Sequence, residues 1–211
     1  MKTEDLIALM AKDAKSVKPL GPAFSGWLAL GAAASALLLI ATIGLRPDLA
    51  AMIATPRVAF KIALTLLLAF SAILLARRIG EPGASLRPAF TLIGIAGLAL
   101  VGGVVAELAA LPRQNWMTSL IGRNSNYCLI AIPTLSLMPL AGLMLALRRG
   151  APGHPALAGA GAGLAAGAAA AAIYAWHCPD DSPLFVACWY MLSILTVTLA
   201  GSLIGARALR W

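Results

Sequence analysis

Apolar residues run along this chain in six long blocks separated by short polar stretches. The blocks lie at approximately Gly26–Leu45, Val58–Ala76, Ala89–Leu111, Tyr127–Leu147, Leu157–Trp176 and Leu184–Ala206. Each is long enough to cross a hydrocarbon core of about 30 Å at about 1.5 Å per helical residue. Lipid offers no partners to open backbone groups, so such blocks predict helices, and the alternating pattern of a membrane barrel is absent. The expectation is an all-α membrane protein with six transmembrane helices. The first block follows a polar-to-mixed stretch and lacks a small-residue cleavage site, which predicts a retained helix and not a signal peptide.

Composition agrees with this pattern. Of 211 residues, 61% are hydrophobic and only 11% charged, and the mean hydropathy is +0.89. A soluble domain carries about 25% charged residues, so most of this surface faces lipid. The basic residues then set the orientation. With the N-terminus cytoplasmic, that side receives Lys2, Lys12, Lys15, Lys18, Arg77, Arg78, Arg87, Arg148, Arg149, Arg207 and Arg210. The other side receives Arg46, Arg57, Arg113 and Arg123, with Lys61 inside the second block. Eleven against four predicts cytoplasmic N- and C-termini. The net charge of +8 reflects this topology and attraction to anionic lipid head groups. No basic surface interleaved with aromatics is present, which argues against direct nucleic-acid binding.

The connections are too short for a separate catalytic domain. The chain divides into a cytoplasmic N-terminal amphipathic segment, residues 1–25, and a six-helix transmembrane domain, residues 26–211. Within "LIALMAKDAKSV", Leu6, Leu9, Met10 and Val17 share one helical face, and Lys12 and Lys15 lie opposite. Asp13 interrupts the apolar stripe. Two readings stand: a helix lying on the lipid surface, or a docking helix whose Asp13 meets a basic residue of a partner protein. The fifth block, "ALAGAGAGLAAGAAAAAIYAW", is nearly all Ala and Gly. Its spacing of small residues predicts close packing at the bundle centre.

Candidate chemistry is sparse. Lys61 and Glu107 are the ionisable residues inside helices, at similar depth, and this predicts an intramembrane ion pair. A small-molecule transporter or channel would use such a pair for substrate or protons; a structural bundle would use it to fix helix register. Cys128 opens the fourth helix, Cys178 closes the fifth, and Cys188 lies about one turn into the sixth. Topology thus predicts all three at the outer face, where disulfides persist if that face meets a periplasm. Around Cys178, "HCPDDSP" offers His177, Asp180 and Asp181 as accessory metal ligands, with Cys188 a further candidate. The spacing matches no recognised zinc signature. A Cys-x-x-Cys redox pair and a three-plus-three carrier repeat are both missing, which argues against a thiol oxidoreductase and a carrier.

The segments "MKTEDLIALMAKDAKSVKP", "GLRPDLAAMIATPR", "FKIALTLLLA", "NYCLIAIPTLSLMPL" and "YAWHCPDDSPLFVACWY" follow one another almost end to end. In that order they resemble the NrsF family of membrane-bound anti-sigma factors. The resemblance implies a multi-pass bacterial inner-membrane protein that is not an enzyme. It would hold an extracytoplasmic-function (ECF) sigma factor of the sigma-F type and release it when the outer face senses heavy metal or oxidative stress. It further implies outward-facing sensor cysteines, which carry over by motif to Cys128 and Cys178; Cys188 lies outside the family pattern. No constitutive cofactor is implied, only a transient heavy-metal ion at Cys128 and Cys178. The resemblance also favours the docking reading of the N-terminal segment. Leu6, Leu9, Met10 and Val17 would seat in an apolar groove of the sigma factor, with Asp13 paired to a basic residue. The inner loops around Arg77–Arg87 and Arg148–Arg149 would assist.

Overall fold

The computed structural model describes residues 3–5, 20–81, 83–150 and 152–210. The expected docking residues Leu6, Leu9, Met10, Asp13 and Val17 lie outside the described residues. Among those described, no strand occurs, and six helical segments are long and apolar enough to cross a membrane. Five are the continuous helices α1 (Leu20–Thr42), α3 (Pro56–Ile79), α4 (Arg87–Ala110), α6 (Ser125–Leu147) and α7 (Pro155–Tyr174). The sixth begins as α8 (Pro183–Phe185), passes through a π-helical turn at Val186–Tyr190 and continues as α9 (Met191–Ala208). Two short helices, α2 (Leu49–Met52) and α5 (Trp116–Ile121), fill connections at the same end of the bundle.

Element boundaries follow from the chemistry of chain ends. Proline stands in the first turn of α3, α4 and α7, where its missing N–H would have no intrahelical partner anyway. The stretch between α4 and α6, expected as a loop, instead folds into a tight turn at Arg113–Asn115 and then α5. The Trp116 indole N–H donates to the Leu111 carbonyl at 3.1 Å and so serves a carbonyl just past the end of α4.

The Ala/Gly-rich α7 lies at the centre, packed on by α9, α3, α6 and α1. Its approach to α9 is set by glycine. A Cβ at Gly159 would fall 2.3 Å from the Gly201 carbonyl oxygen and 2.7 Å from the Gly205 Cα. Any side chain there would force the two backbones apart, so small residues give the tight contact that lipid-immersed helices use in place of a hydrophobic driving force. By contrast, α4 packs mainly on α3 and turns Leu98, Val101 and Val105 outward, as a lipid-facing helix does.

A proline inside α6 is accommodated by a neighbour. Pro139 has no N–H to offer the Leu135 carbonyl one turn earlier, and the buried Ser35 hydroxyl of α1 donates to that oxygen at 2.6 Å. The serine thereby ties α1 to α6 at the point where the helix ladder is broken.

Candidate functional site

Cys128 sits in the first turn of α6, and Cys178 lies just beyond α7, where its N–H still reaches the Tyr174 carbonyl at 3.1 Å. These two helix ends come together at one end of the bundle. Both cysteines are fully buried free thiols, and their side chains are in hydrogen-bonding contact with each other. Cys188 sits half-buried on the π-helical turn, also as a free thiol. That turn directs the Trp189 indole N–H to the Leu120 carbonyl at 2.8 Å and turns Tyr190 into the core beside the thiols.

The stretch from His177 to Pro183 is a set of anchors. His177 Nδ1 lies 2.9 Å from the Gly44 carbonyl oxygen and donates to it in the Nδ1–H tautomer. The Asp180 carboxylate accepts from the N–H groups of Arg123 and Asn124 at 2.9–3.2 Å and from the Asn124 side chain at 3.0 Å. It thereby caps the approach to α6, close to Cys128. Gly122 makes room for it: with φ 60, and with a Cβ there falling 2.8 Å from Asp180 Cγ, only glycine fits. The Ser182 side chain accepts from the Leu184 N–H at 3.3 Å and starts the last helix.

Asp181 reaches into the bundle. Its carboxylate pairs with Lys61 and accepts from the Arg46 guanidinium at 2.8 and 3.0 Å. Lys61 is itself fully buried and donates to the Cys178 carbonyl at 2.6 Å. Arg46 also binds Asp48, at 2.7 and 2.9 Å. The hydrogen bonds to Asp48 and Asp181 raise the Arg46 pKa against the opposing effect of burial, and Arg46 in turn holds the Asp48 carboxyl below its usual range. At Cys178, the hydrogen bond from Cys128 and the nearby positive charge of Lys61 lower the thiol's pKa, while burial opposes them.

The expected pairing of Lys61 with Glu107 is corrected by this arrangement. Lys61 pairs with Asp181, and Glu107 pairs with Arg57 at 3.1 Å. Arg57 and Lys61 are one turn apart on α3, and each takes a different carboxylate: Arg57 the one on the neighbouring helix, Lys61 the one that the 179–183 stretch drops into the bundle. A cleft of about 870 Å³ opens at this end, bordered by Arg57, Glu107, Asp180 and Asp181.

The donor set fits a soft cation with few ligands. Two thiols in contact are available, whereas among the described residues no group of three His, Cys, Asp or Glu side chains is placed to hold a metal. His177, Asp180 and Asp181, expected as accessory ligands, are engaged by backbone amides, a backbone carbonyl and cations as described. Residues that sequence reasoning missed are Arg46, Tyr174 and Tyr190. Arg46 reads as an ordinary loop cation, and only its burial, at 5% exposure, marks it. Nothing in the linear pattern turns the two tyrosines toward sulfur.

The chain matches the sequence model of the family described as "NrsF: Negative regulator of sigma F" over residues 10–211. It is 33% identical over 216 aligned positions to the "Probable anti-sigma-F factor NrsF" of Azospira oryzae, covering all of both chains. It is 34% identical over 214 positions to the "Anti-sigma-F factor NrsF" of Caulobacter vibrioides, again covering both chains fully. No solved structure matches it. Six membrane-capable helices, a thiol pair joined at one end of the bundle and likeness along the whole length agree with one another. This chain belongs to the NrsF family of negative regulators of sigma F.

Proposed function

We propose that this protein is a multi-pass inner-membrane anti-sigma factor. It sequesters an ECF sigma factor of the sigma-F type through its N-terminal cytoplasmic segment. It releases that factor when Cys128 and Cys178, on the periplasmic side, bind a heavy-metal ion or are oxidised. The observation that carries this reading is the full-length relationship to anti-sigma-F factors. The basic-residue bias supports the orientation, because the end opposite the thiol pair carries Arg77, Arg78, Arg148, Arg149 and Arg207.

The mechanism is a two-state bundle. Metal binding replaces the contact between two thiols with two metal–sulfur bonds; oxidation joins the sulfurs and passes two electrons and two protons to the oxidant. Either change alters the geometry where α6 and α7 meet. The central α7 carries that change to the connection at its other end, through its glycine contact with α9. Sigma binding and metal binding are then reciprocally coupled, and a coupling of about 1–3 kcal/mol gives roughly a 5- to 150-fold change in affinity. Leu6, Leu9 and Met10 form the apolar anchor for the sigma factor, Val17 extends it, and Asp13 meets a basic residue of the partner. Changing Leu6, Leu9 and Met10 together to Asn abolishes capture of the sigma factor in a pull-down; undiminished capture rejects the docking role.

A further inference from the structure

Two buried hydroxyls face the thiol pair and have sulfur as their one polar neighbour. The hydroxyl oxygens of Tyr174 and Tyr190 meet no oxygen or nitrogen partner, and the two residues are 1% and 0% exposed. A buried hydroxyl without a strong acceptor is costly in a packed interior and rare in native proteins. The Tyr174 hydroxyl lies beside both sulfurs, and that of Tyr190 beside the Cys178 sulfur. The rings are held in place by one another, with centroids 6.0 Å apart, and by Phe185, 6.2 Å from Tyr190. A thiol sulfur is only a weak acceptor, so the two hydroxyls gain little from it in the metal-free protein.

We propose that Tyr174 and Tyr190 are positioning residues of the sensing site, donating hydrogen bonds to the thiolate sulfurs of Cys128 and Cys178 when the pair takes a soft divalent cation. The inference rests on the reading above that this pair is the sensing site. Binding breaks two S–H bonds and forms two metal–sulfur bonds, and the two protons leave to bulk water, with no change of oxidation state. The S–H donor that now satisfies the neighbouring sulfur disappears in this step. Each thiolate sulfur then needs strong donors, and the phenols already facing the sulfurs are at hand, because Lys61 is bound to Asp181 and to the Cys178 carbonyl. Charge selects the cation. Two thiolates and a divalent ion are neutral together, whereas a monovalent ion would leave a net negative charge in a fully buried site.

The test uses the full chain in detergent micelles with Cys188→Ala, so that the remaining thiol does not compete, and Cd²⁺ as the probe. The ultraviolet thiolate-to-cadmium absorption band reports binding, and the thermal midpoint of the metal-free protein reports structure. Tyr174→Phe and Tyr190→Phe are each expected to weaken Cd²⁺ binding roughly tenfold, as loss of a charge-assisted hydrogen bond does, with the metal-free midpoint unchanged or raised. Unchanged affinity in both variants overturns the proposal and leaves the role of the cysteines intact. Weaker binding that comes with a lowered metal-free midpoint also overturns it, since that marks a structural role. A Cys128→Ser/Cys178→Ser protein that keeps the band shows instead that the sulfur pair is not the cation site, and the inference falls with it.

Discussion

Lys61, fully buried on α3, donates a 2.6 Å hydrogen bond to the carbonyl oxygen of Cys178. The same ammonium group pairs with Asp181, three residues further on. One buried cation therefore holds both sides of the connection that carries Cys178, and it joins that connection to a membrane-spanning helix. A lysine there needs this much company, because an ammonium group taken from water without partners would shed its charge or destabilise the fold.

Replacing Lys61 with Met leaves the Cys178 carbonyl without its donor and Asp181 with Arg46 alone. The expected loss is about 3 kcal/mol, at the low end for a broken buried pair because Arg46 remains. Denaturant unfolding in micelles measures it. Adding Asp181→Asn to this variant removes the stranded charge and recovers part of the stability. A double variant less stable than the single one contradicts this reading of the network.

Arg57 and Glu107 form the contrasting case. Arg57 is half-exposed and can rehydrate when its partner is lost, so the pair resembles a surface salt bridge on that side. Arg57→Ala therefore lowers stability by about 1 kcal/mol or less in the same unfolding measurement, well below the effect at Lys61.

The contact between α7 and α9 tolerates no added carbon. Gly159→Ala places a Cβ 2.3 Å from the Gly201 carbonyl oxygen, so the helices separate at a loss of about 1–3 kcal/mol. Gly94→Ala on α4 meets nothing within 4 Å and is neutral or slightly stabilising. Equal thermal midpoints for the two variants would contradict the central place of α7.

Ser35→Ala orphans the Leu135 carbonyl that Pro139 has already deprived of its helical donor. The expected loss is about 1 kcal/mol. In a Pro139→Ala background the helix N–H returns, and Ser35→Ala becomes nearly silent. A double-mutant cycle reads this coupling directly.

The membrane spans were legible because the run length of apolar residues is a local property, and lipid leaves helices as the one way to satisfy their backbones. The Ala and Gly content of α7 likewise predicted its place, since residues without bulk serve close helix contact. The partners of Lys61 and Glu107 were not legible. Depth along a helix gives the height of a charge but not its azimuth, and Asp181 reaches Lys61 only because the 179–183 stretch folds inward. The "HCPDDSP" cluster looked like a ligand set for the same reason: adjacency in the chain suggested convergence, whereas His177, Asp180 and Asp181 point to Gly44, to the Arg123–Asn124 amides and to Arg46 with Lys61. That Cys128, Cys178 and Cys188 share one end of the bundle was legible from topology; that Cys128 and Cys178 meet was not, since topology sets height and not distance, and the tyrosine hydroxyls beside them had no signature in the sequence at all.

The central claim is that the thiol pair governs the hold on the sigma factor across the bilayer. The most direct measurement is the amount of sigma factor that co-purifies with the full-length membrane protein before and after Cd²⁺ is added to the periplasmic side. Wild-type protein is expected to lose most of its bound sigma factor, while the Cys128→Ser/Cys178→Ser protein captures as much at the start and keeps it. Equal release from both proteins would contradict the account.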